Sequence, residues 1–357
     1  MWRRGAGNLV ASLLDTPLNA GMTIERIDPL ELDDATATRC AEIVGASAAA
    51  SGIDVPAPSA AGFAGQVTYT HDMTPVDAMW LAREGCDVVG SAMIKFAAWD
   101  NPHLAFVFCA VHPDFLGRGV GSTLLGAQVE AARAHDRTLL LTFEFRDTPG
   151  HRLLAEQGFE LAQDTAQRRL RPAELDWEAI QRYAADAAAH ATAYELVRLD
   201  GAAPDDWLPT LQSLHESIND APLDGIDLQP DVYPAERIRL YEQAMAARQQ
   251  HLYRLMARHR STGAWAGHTI LCVDRTRPGS GIQEDTSVVS AHRGHRLGML
   301  LKSTMLLWMR DAEPGLETID TWNAETNGHM IAVNDRLGCF VNARGVALQR
   351  HLDDVDR

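Results

Sequence analysis

Positive charge is scarce in this chain: 32 Lys and Arg stand against 48 Asp and Glu, a formal net charge of −16. That surplus repels nucleic-acid phosphates and anionic lipid and attracts cationic ligands, so no nucleic-acid partner is expected. Cysteine is equally sparse. Cys40, Cys86, Cys109, Cys272 and Cys339 are odd in number and never in C-x-x-C spacing. Neither a disulfide framework nor a zinc ribbon is indicated, and reduced thiols fit a cytoplasmic location. Long hydrophobic runs are missing too, none approaching the ~20 residues that a membrane span needs, so no membrane partner is expected. Arg3-Arg4 precedes a weakly apolar run from Leu9 to Leu14, but Asp15 and Pro17 interrupt it. Residues 1–21 therefore read as a poorly ordered extension, with Met22 as an alternative start. What remains is globular in composition, 46% apolar and 22% charged, with a length of 357 residues that calls for two domains.

An internal repeat sets their arrangement. Arg26-Ile27-Asp28 followed by Asp33-Asp34 returns as Arg198-Leu199-Asp200 followed by Asp205-Asp206. Ala82-Arg83 returns as Ala257-Arg258, the turn before Gly121 as the turn before Gly298, and Gly158-Phe159 as Gly338-Cys339. The offsets of 172, 175, 177 and 180 rise slowly, as small insertions would make them. Four matches in one order imply two copies of one domain. The division expected is 22–170 and 193–357, joined by 171–192, whose alanines favour a helical connector.

Each copy reads as mixed α/β. In the first, residues 23–27, 78–81, 88–96, 104–111 and 139–145 are strand-like. Val120, Leu124, Ala127, Ala131 and Ala134 form one face of a helix, and a short helix over 150–157 ends at Gly158. The second copy repeats the plan with strands over 197–199, 252–257, 265–273 and 283–289. Its central helix carries the stripe Leu297, Leu301, Met305 and Trp308, and strand 316–322 and helix 328–337 close the copy. Met305, Trp308 and Met309 are expected in the core.

Between the fourth strand and the central helix of the first copy lies V-H-P-D-F-L-G-R-G-V-G, residues 111–121. Glycines there let backbone N–H groups converge on an anion at the helix N-terminus, the arrangement of a pyrophosphate cradle. The turn lacks the terminal Lys-Ser/Thr of a Walker loop and sits mid-domain, unlike a dinucleotide fold.

These residues resemble the signature of the GNAT superfamily of acyl-CoA N-acyltransferases, Q/R-x-x-G-x-G/A just after a V-x-P strand end. The first copy has Gly119 and Gly121 in place and Leu116 where the family has Gln or Arg. The second, V-V-S-A-H-R-G-H-R-L-G, has Arg293 and Gly298 in place and Arg296 at the middle glycine. Thr321 to Gly338, T-W-N-A-E-T-N-G-H-M-I-A-V-N-D-R-L-G, is similar to the C-terminal copy of tandem acetyltransferases of high-GC bacteria. The resemblance implies an α/β fold with a mixed sheet in two tandem GNAT-like domains, and acetyl-CoA as cofactor. Its pyrophosphate would meet Val111, Gly117, Arg118, Gly119, Val120, Gly121 and Ser122, or Val288, Val289, Arg293, Gly294, His295, Arg296, Leu297 and Gly298. Its pantetheine would add to the fourth strand and meet Asn323, with Asn327 one helical turn on. For both asparagines, helix capping is the competing role.

Aligning Gly121 with Gly298 sets Val107, Phe108 and Cys109 opposite Glu284, Asp285 and Thr286, so carboxylates beside the expected reaction centre occur on the second fourth strand. Asp285 or Glu284 is the expected general base for direct attack through a tetrahedral intermediate, and strand alternation allows one of them to face the cleft. The family's thiolate acid, a Tyr, is replaced by Leu154 and Asn334. Asn334 donates a hydrogen bond but delivers no proton. Catalysis is thus expected in 193–357, with the first copy in support and able to hold coenzyme. His292 and His295 have no third partner at helical spacing, so no metal is expected. The expected function is acetyl transfer to a primary amine of a small molecule, such as an amino-sugar antibiotic or a biosynthetic intermediate. Transfer to a protein or peptide amine, and idle acyl-CoA binding that gates a partner, are the alternatives. The oligomeric state is open.

Overall fold

The computed structural model describes residues 21–352. Apart from Gly21, the extension expected over 1–21 lies outside them.

The first half runs β1 (Met22–Ile27), α1 (Asp34–Ala50), α2 (Ala60–Thr68), β2 (Ala78–Glu84), β3 (Asp87–Phe96), β4 (Leu104–Val111), α3 (Val120–Ala134), β5 (Leu139–Phe145), α4 (Pro149–Glu156) and β6 (Glu160–Leu170). A helix, α5 (Trp177–His190), follows. The second half runs β7 (Tyr194–Asp200), α6 (Leu208–Glu216), α7 (Ala235–Ala247), β8 (Gln250–His259), β9 (Trp265–Asp274), β10 (Ser280–Val288), α8 (Leu297–Ala312), β11 (Thr318–Ala324), α9 (Gly328–Arg336) and β12 (Phe340–His351).

Side-chain alternation builds the layers. Along β2, Ala78, Trp80 and Ala82 pack with Leu124 and Val129 of α3, while Met79 and Leu81 pack with Cys40 and Ile43 of α1 and Phe63 of α2. Helices therefore cover both faces. Several begin on side-chain caps: Asp33 accepts from Thr36 N–H at 2.7 Å, Ser59 from Gly62 N–H at 2.9 Å and Thr148 from His151 N–H at 3.1 Å. Each cap contributes about 1 kcal/mol. α3 and α8 begin with no side-chain cap, which matters for the site below.

The sheet has twelve strands in the order β1-β2-β3-β4-β5-β12-β6-β11-β10-β9-β8-β7. The two halves exchange their last strands. β12 pairs antiparallel with β5 of the first half, and β6 pairs antiparallel with β11 of the second. A buried ion pair fastens the exchange: Arg169 on β6, 2% exposed, meets Asp320 on β11 at 2.7 and 2.8 Å and Asp54 of the α1–α2 segment at 2.9 Å. α5 belongs to the second core, where Ile180 and Ala187 pack with Leu301, Met305 and Trp308 of α8.

Candidate active site

β4 and β5 run parallel and pair from Leu104–Phe106 to Leu139–Leu141, then part. β10 and β11 do the same after Ser280–Ile282 and Thr318–Asp320. Each splay leaves the rest of the fourth strand without a partner on one edge. Beyond it the chain turns through two residues of positive φ, Gly117 (72°) and Gly119 (81°) in the first half, Gly294 (85°) and Arg296 (57°) in the second. Glycine adopts this conformation at no steric cost, whereas Arg296 gives up roughly 1–2 kcal/mol. With no cap on α3, the first-turn amides of Val120, Gly121 and Ser122 are left at the positive end of the helix.

A cavity of about 1620 Å³ joins the first turn to the second half. It is lined by Val111, Gly117, Gly119, Val120, Gly121 and Ser122 together with Glu284, Asp285 and Asn323. Its floor is aromatic. Phe108, Phe143 and Trp322 line it with 40%, 52% and 45% of their surface exposed, and Trp322 reaches Phe145 with ring centroids 5.8 Å apart. Gly345 makes room for that ring, since a Cβ there would lie 2.8 Å from Trp322 and 2.7 Å from Thr165 Oγ1.

The remaining expected residues lie elsewhere. Arg118 pairs with Glu84 at 3.4 Å and covers the Phe115 ring. Val288 and Val289 pack against the second-half core clusters. Arg293 pairs with Asp220, and His295 packs 5.4 Å from the Tyr194 ring. Gly294, Arg296, Leu297 and Gly298 are absent from the cavity lining. Asn327 caps α9 by accepting from Met330 N–H at 3.2 Å. Asn334 is fully buried and donates to Asn323 Oδ1 at 2.7 Å.

Position by position, the two clefts differ. Leu125 and Leu154 line the cavity in the first half; their counterparts, Lys302 and Asn334, are 2% and 0% exposed and do not. Burial pulls the Lys302 ammonium down to about 8. At these positions the second half buries a desolvated amine and a bonded amide where the first half has leucines on the cavity wall.

Glu284 and Asp285 overturn the expectation that alternation admits one carboxylate. A β-bulge between Gln283 and Thr286 sets both opposite Ile270, and both line the cavity. Asp285 Oδ2 lies 2.7 Å from Nε2 of the buried His268, whose ring meets His215 edge-on at 5.1 Å. Behind them Arg254 pairs with Glu242 at 3.0 Å, both nearly inaccessible. Asp285 Oδ1 is buried without a partner. Partial desolvation on the cavity wall foremost, and Asp285 next, raise the Glu284 carboxyl, which stays open to solvent. Five inter-strand steps, about 24 Å measured along the sheet, separate β4 from β10, and Glu284 and Asp285 open on the cavity beside the second splay.

Two residues at the first splay escaped sequence reasoning, which compared fourth strands alone. Glu144, on β5, lines the cavity and its Oε1 accepts from Phe145 N–H at 2.7 Å and Thr148 Oγ1 at 3.2 Å. Burial raises it, and desolvation on the cavity wall with the Glu144 charge pushes up the thiol of Cys109, itself exposed to solvent. Gln128 of α3 is fully buried, donates to Met93 and Phe108 carbonyls at 2.7 and 2.9 Å, and leaves Oε1 without a partner. Its signal was a glutamine within an apolar helix face.

Splayed strands leading to an uncapped helix turn thus occur twice in one chain. Residues 55–159 match the model of the Acetyltransferase (GNAT) family. A tandem GNAT protein from the clavulanic acid biosynthesis pathway, solved without AcCoA, superposes with a TM-score of 0.73 over 92% of this chain and 98% of its own, at 26% identity. Residues 55–159 thus carry a GNAT-family domain, and the chain as a whole is similar to a tandem GNAT protein. A GCN5-related N-acetyltransferase from Sphaerobacter thermophilus shares the fold of this chain, with a TM-score of 0.65, 16% identity and coverage of 94% and 97%. So does a putative acetyltransferase from Pyrococcus horikoshii, with a TM-score of 0.55, 14% identity and coverage of 95% and 92%. No curated protein matches by sequence. Acetyl-CoA is the usual cosubstrate of the GNAT family.

Proposed function

We propose that the chain transfers an acetyl group from acetyl-CoA to a primary amine of a small molecule, with the coenzyme in the first half's cleft. The observation that carries this is the meeting, in one cavity, of the Gly117–Ser122 turn, the unpartnered edge of β4 and the orphaned carbonyl of Gln128. The residues fit the group. First-turn amides of α3 suit a pyrophosphate, a free strand edge suits an extended diamide, and Gln128 Oε1 needs an N–H.

Bound there, the coenzyme supplies an acyl group activated as a thioester. Val120, Gly121 and Ser122 hold the diphosphate end through main-chain N–H groups. The β4 edge beyond Phe106 aligns the arm and offers main-chain N–H groups where negative charge develops on the carbonyl oxygen. Glu144 is the base. Its Oε2 takes the proton from the incoming ammonium, directly or through a water, and its raised pKa brings it nearer the operating pH. Asn334 then has no part in proton transfer; it holds Asn323 in place. A cavity with a floor and walls from both halves supports a small acceptor over a protein segment.

Release of free thiol from acetyl-CoA in the presence of primary amines tests the reading. Glu144→Gln is expected to lower kcat by about 10²–10⁴-fold with the coenzyme's Kd within about threefold. An unchanged kcat removes Glu144 from the mechanism, and no thiol release with any amine overturns the function.

A further inference from the structure

We infer that the acceptor carries a flat apolar ring, held against Phe108 and Phe143 in a pocket whose end wall the second half supplies. The inference rests on the coenzyme occupying the first cleft.

Strand alternation sorts the two faces of the first splay. Val107 and Val111 of β4 pack with α3, the helix that carries Gln128 and follows the coenzyme turn. Phe106 and Leu141, paired across β4 and β5, point the other way and pack with Leu104, Leu139, Ile226 and Leu228. Two residues further along each strand, on that same face, stand Phe108 and Phe143. They lie outside the core clusters of the described residues and are 40% and 52% exposed. Both line the cavity, and the gap between the parted strands leads from them to Glu144. The face opposite the coenzyme turn therefore offers bare aromatic surface beside the reaction centre, where the acceptor must enter.

The end wall is set before any ligand arrives. Ile226 and Leu228 belong to the connection between α6 and α7, and Leu228 lines the cavity. Asn101 of the first half clasps this connection at Gln229, whose N–H donates to Oδ1 at 2.7 Å and whose carbonyl accepts from Nδ2 at 3.2 Å. Asn219 holds Asp231 in the same way, at 2.9 Å for each bond, and Val232 N–H donates to Asp100 at 3.0 Å. A long connection without helix or strand, yet pinned at both main-chain groups, has the character of a binding loop. It closes the pocket beyond Phe106 and Leu141, so a compact body fits and an extended segment does not. A hydrated amine would leave the two phenyl faces wet, whereas a ring covers them and gains edge or face contacts.

Phenethylamine and ethanolamine share a two-carbon ammonium and differ in a ring against a hydroxyl. In titration calorimetry of the full chain without coenzyme, phenethylamine is expected to bind with a Kd at least about tenfold lower. Phe108→Ala and Phe143→Ala are each expected to bring the two amines within about threefold of one another. Leu161→Ala, which removes a side chain 52% exposed but outside the cavity lining, is expected to keep the full difference. An unchanged Tm in the two phenylalanine variants separates lost binding from lost folding. Equal Kd values in the unaltered chain overturn the inference, as does a phenethylamine advantage that survives both phenylalanine variants. If those variants instead weaken hexanoyl-CoA relative to acetyl-CoA and leave the amines as they were, the aromatic surface serves the donor's acyl chain and the inference is likewise overturned. Thiol release with other amines alongside equal Kd values would sink this inference and leave the proposed function standing; ring-selective binding without thiol release would do the reverse.

Discussion

Glu284, solvent-exposed on the cavity wall, has partial desolvation there, Asp285 on its own strand, Cys272 on β9, Tyr241 on α7 and Arg248 just beyond it as its electrostatic surroundings. The net result is a folded pKa above the unfolded one. Stability from this group is therefore full below the unfolded value and is lost as pH rises through the folded value. Glu284→Gln is expected to raise Tm at about pH 7 and to leave it unchanged near pH 4, where the native carboxyl is protonated in both states. A Tm gain of equal size at both pH values would contradict the shift. Glu242 is the opposite case, a buried charge already satisfied by Arg254 at 3.0 Å and Arg239 at 2.7 Å. Glu242→Ala strands the buried Arg254 guanidinium and is expected to lower unfolding free energy by about 3–5 kcal/mol in denaturant titration. At Gly345 even one methyl meets Thr165 and Trp322, so Gly345→Ala is expected to cost about 1–3 kcal/mol and to shift tryptophan fluorescence.

At the scale of elements, the strand and helix runs that local periodicity marks were legible: the Val120–Ala134 stripe, the apolar β4, the Leu297–Trp308 face. β6 was not legible, and its composition says why. Gln163, Thr165, Gln167, Arg168 and Arg169 are all buried in it, so a central strand carries no apolar alternation to read. The bulge in β10 hid for a related reason, because an extra residue becomes visible through its partner strand. Glu144 depends on α4 as well as on β5. Thr148 both caps that helix and hydrogen-bonds Glu144, holding its pKa below where burial alone would set it. Thr148→Ala is expected to cost about 1 kcal/mol and to move the acidic limb of the pH–rate profile upward, with Thr148→Ser restoring both. Loss of stability with an unmoved acidic limb would leave Glu144 without a catalytic part.

For the whole molecule, the repeat revealed two copies, but strand exchange is a property of which chain segment fills which slot, and a period-2 pattern does not name its partner. β5 and β6 complete their pairing through β12 and β11, so each half is short of a strand without the other. Residues 22–176 expressed alone are expected to give no cooperative unfolding as a monomer, and co-expression with 177–357 to recover it; a stably folded monomeric half would contradict the exchange. Two copies also raise the question of how many coenzymes one chain holds. The first turn lines the cavity, whereas Gly294, Arg296, Leu297 and Gly298 of the second do not. Calorimetric titration with acetyl-CoA decides the matter: one molecule bound per chain, lost by at least tenfold in affinity with Ser122→Glu and retained with Gly298→Glu. Two molecules per chain, or loss with Gly298→Glu instead, would contradict the account.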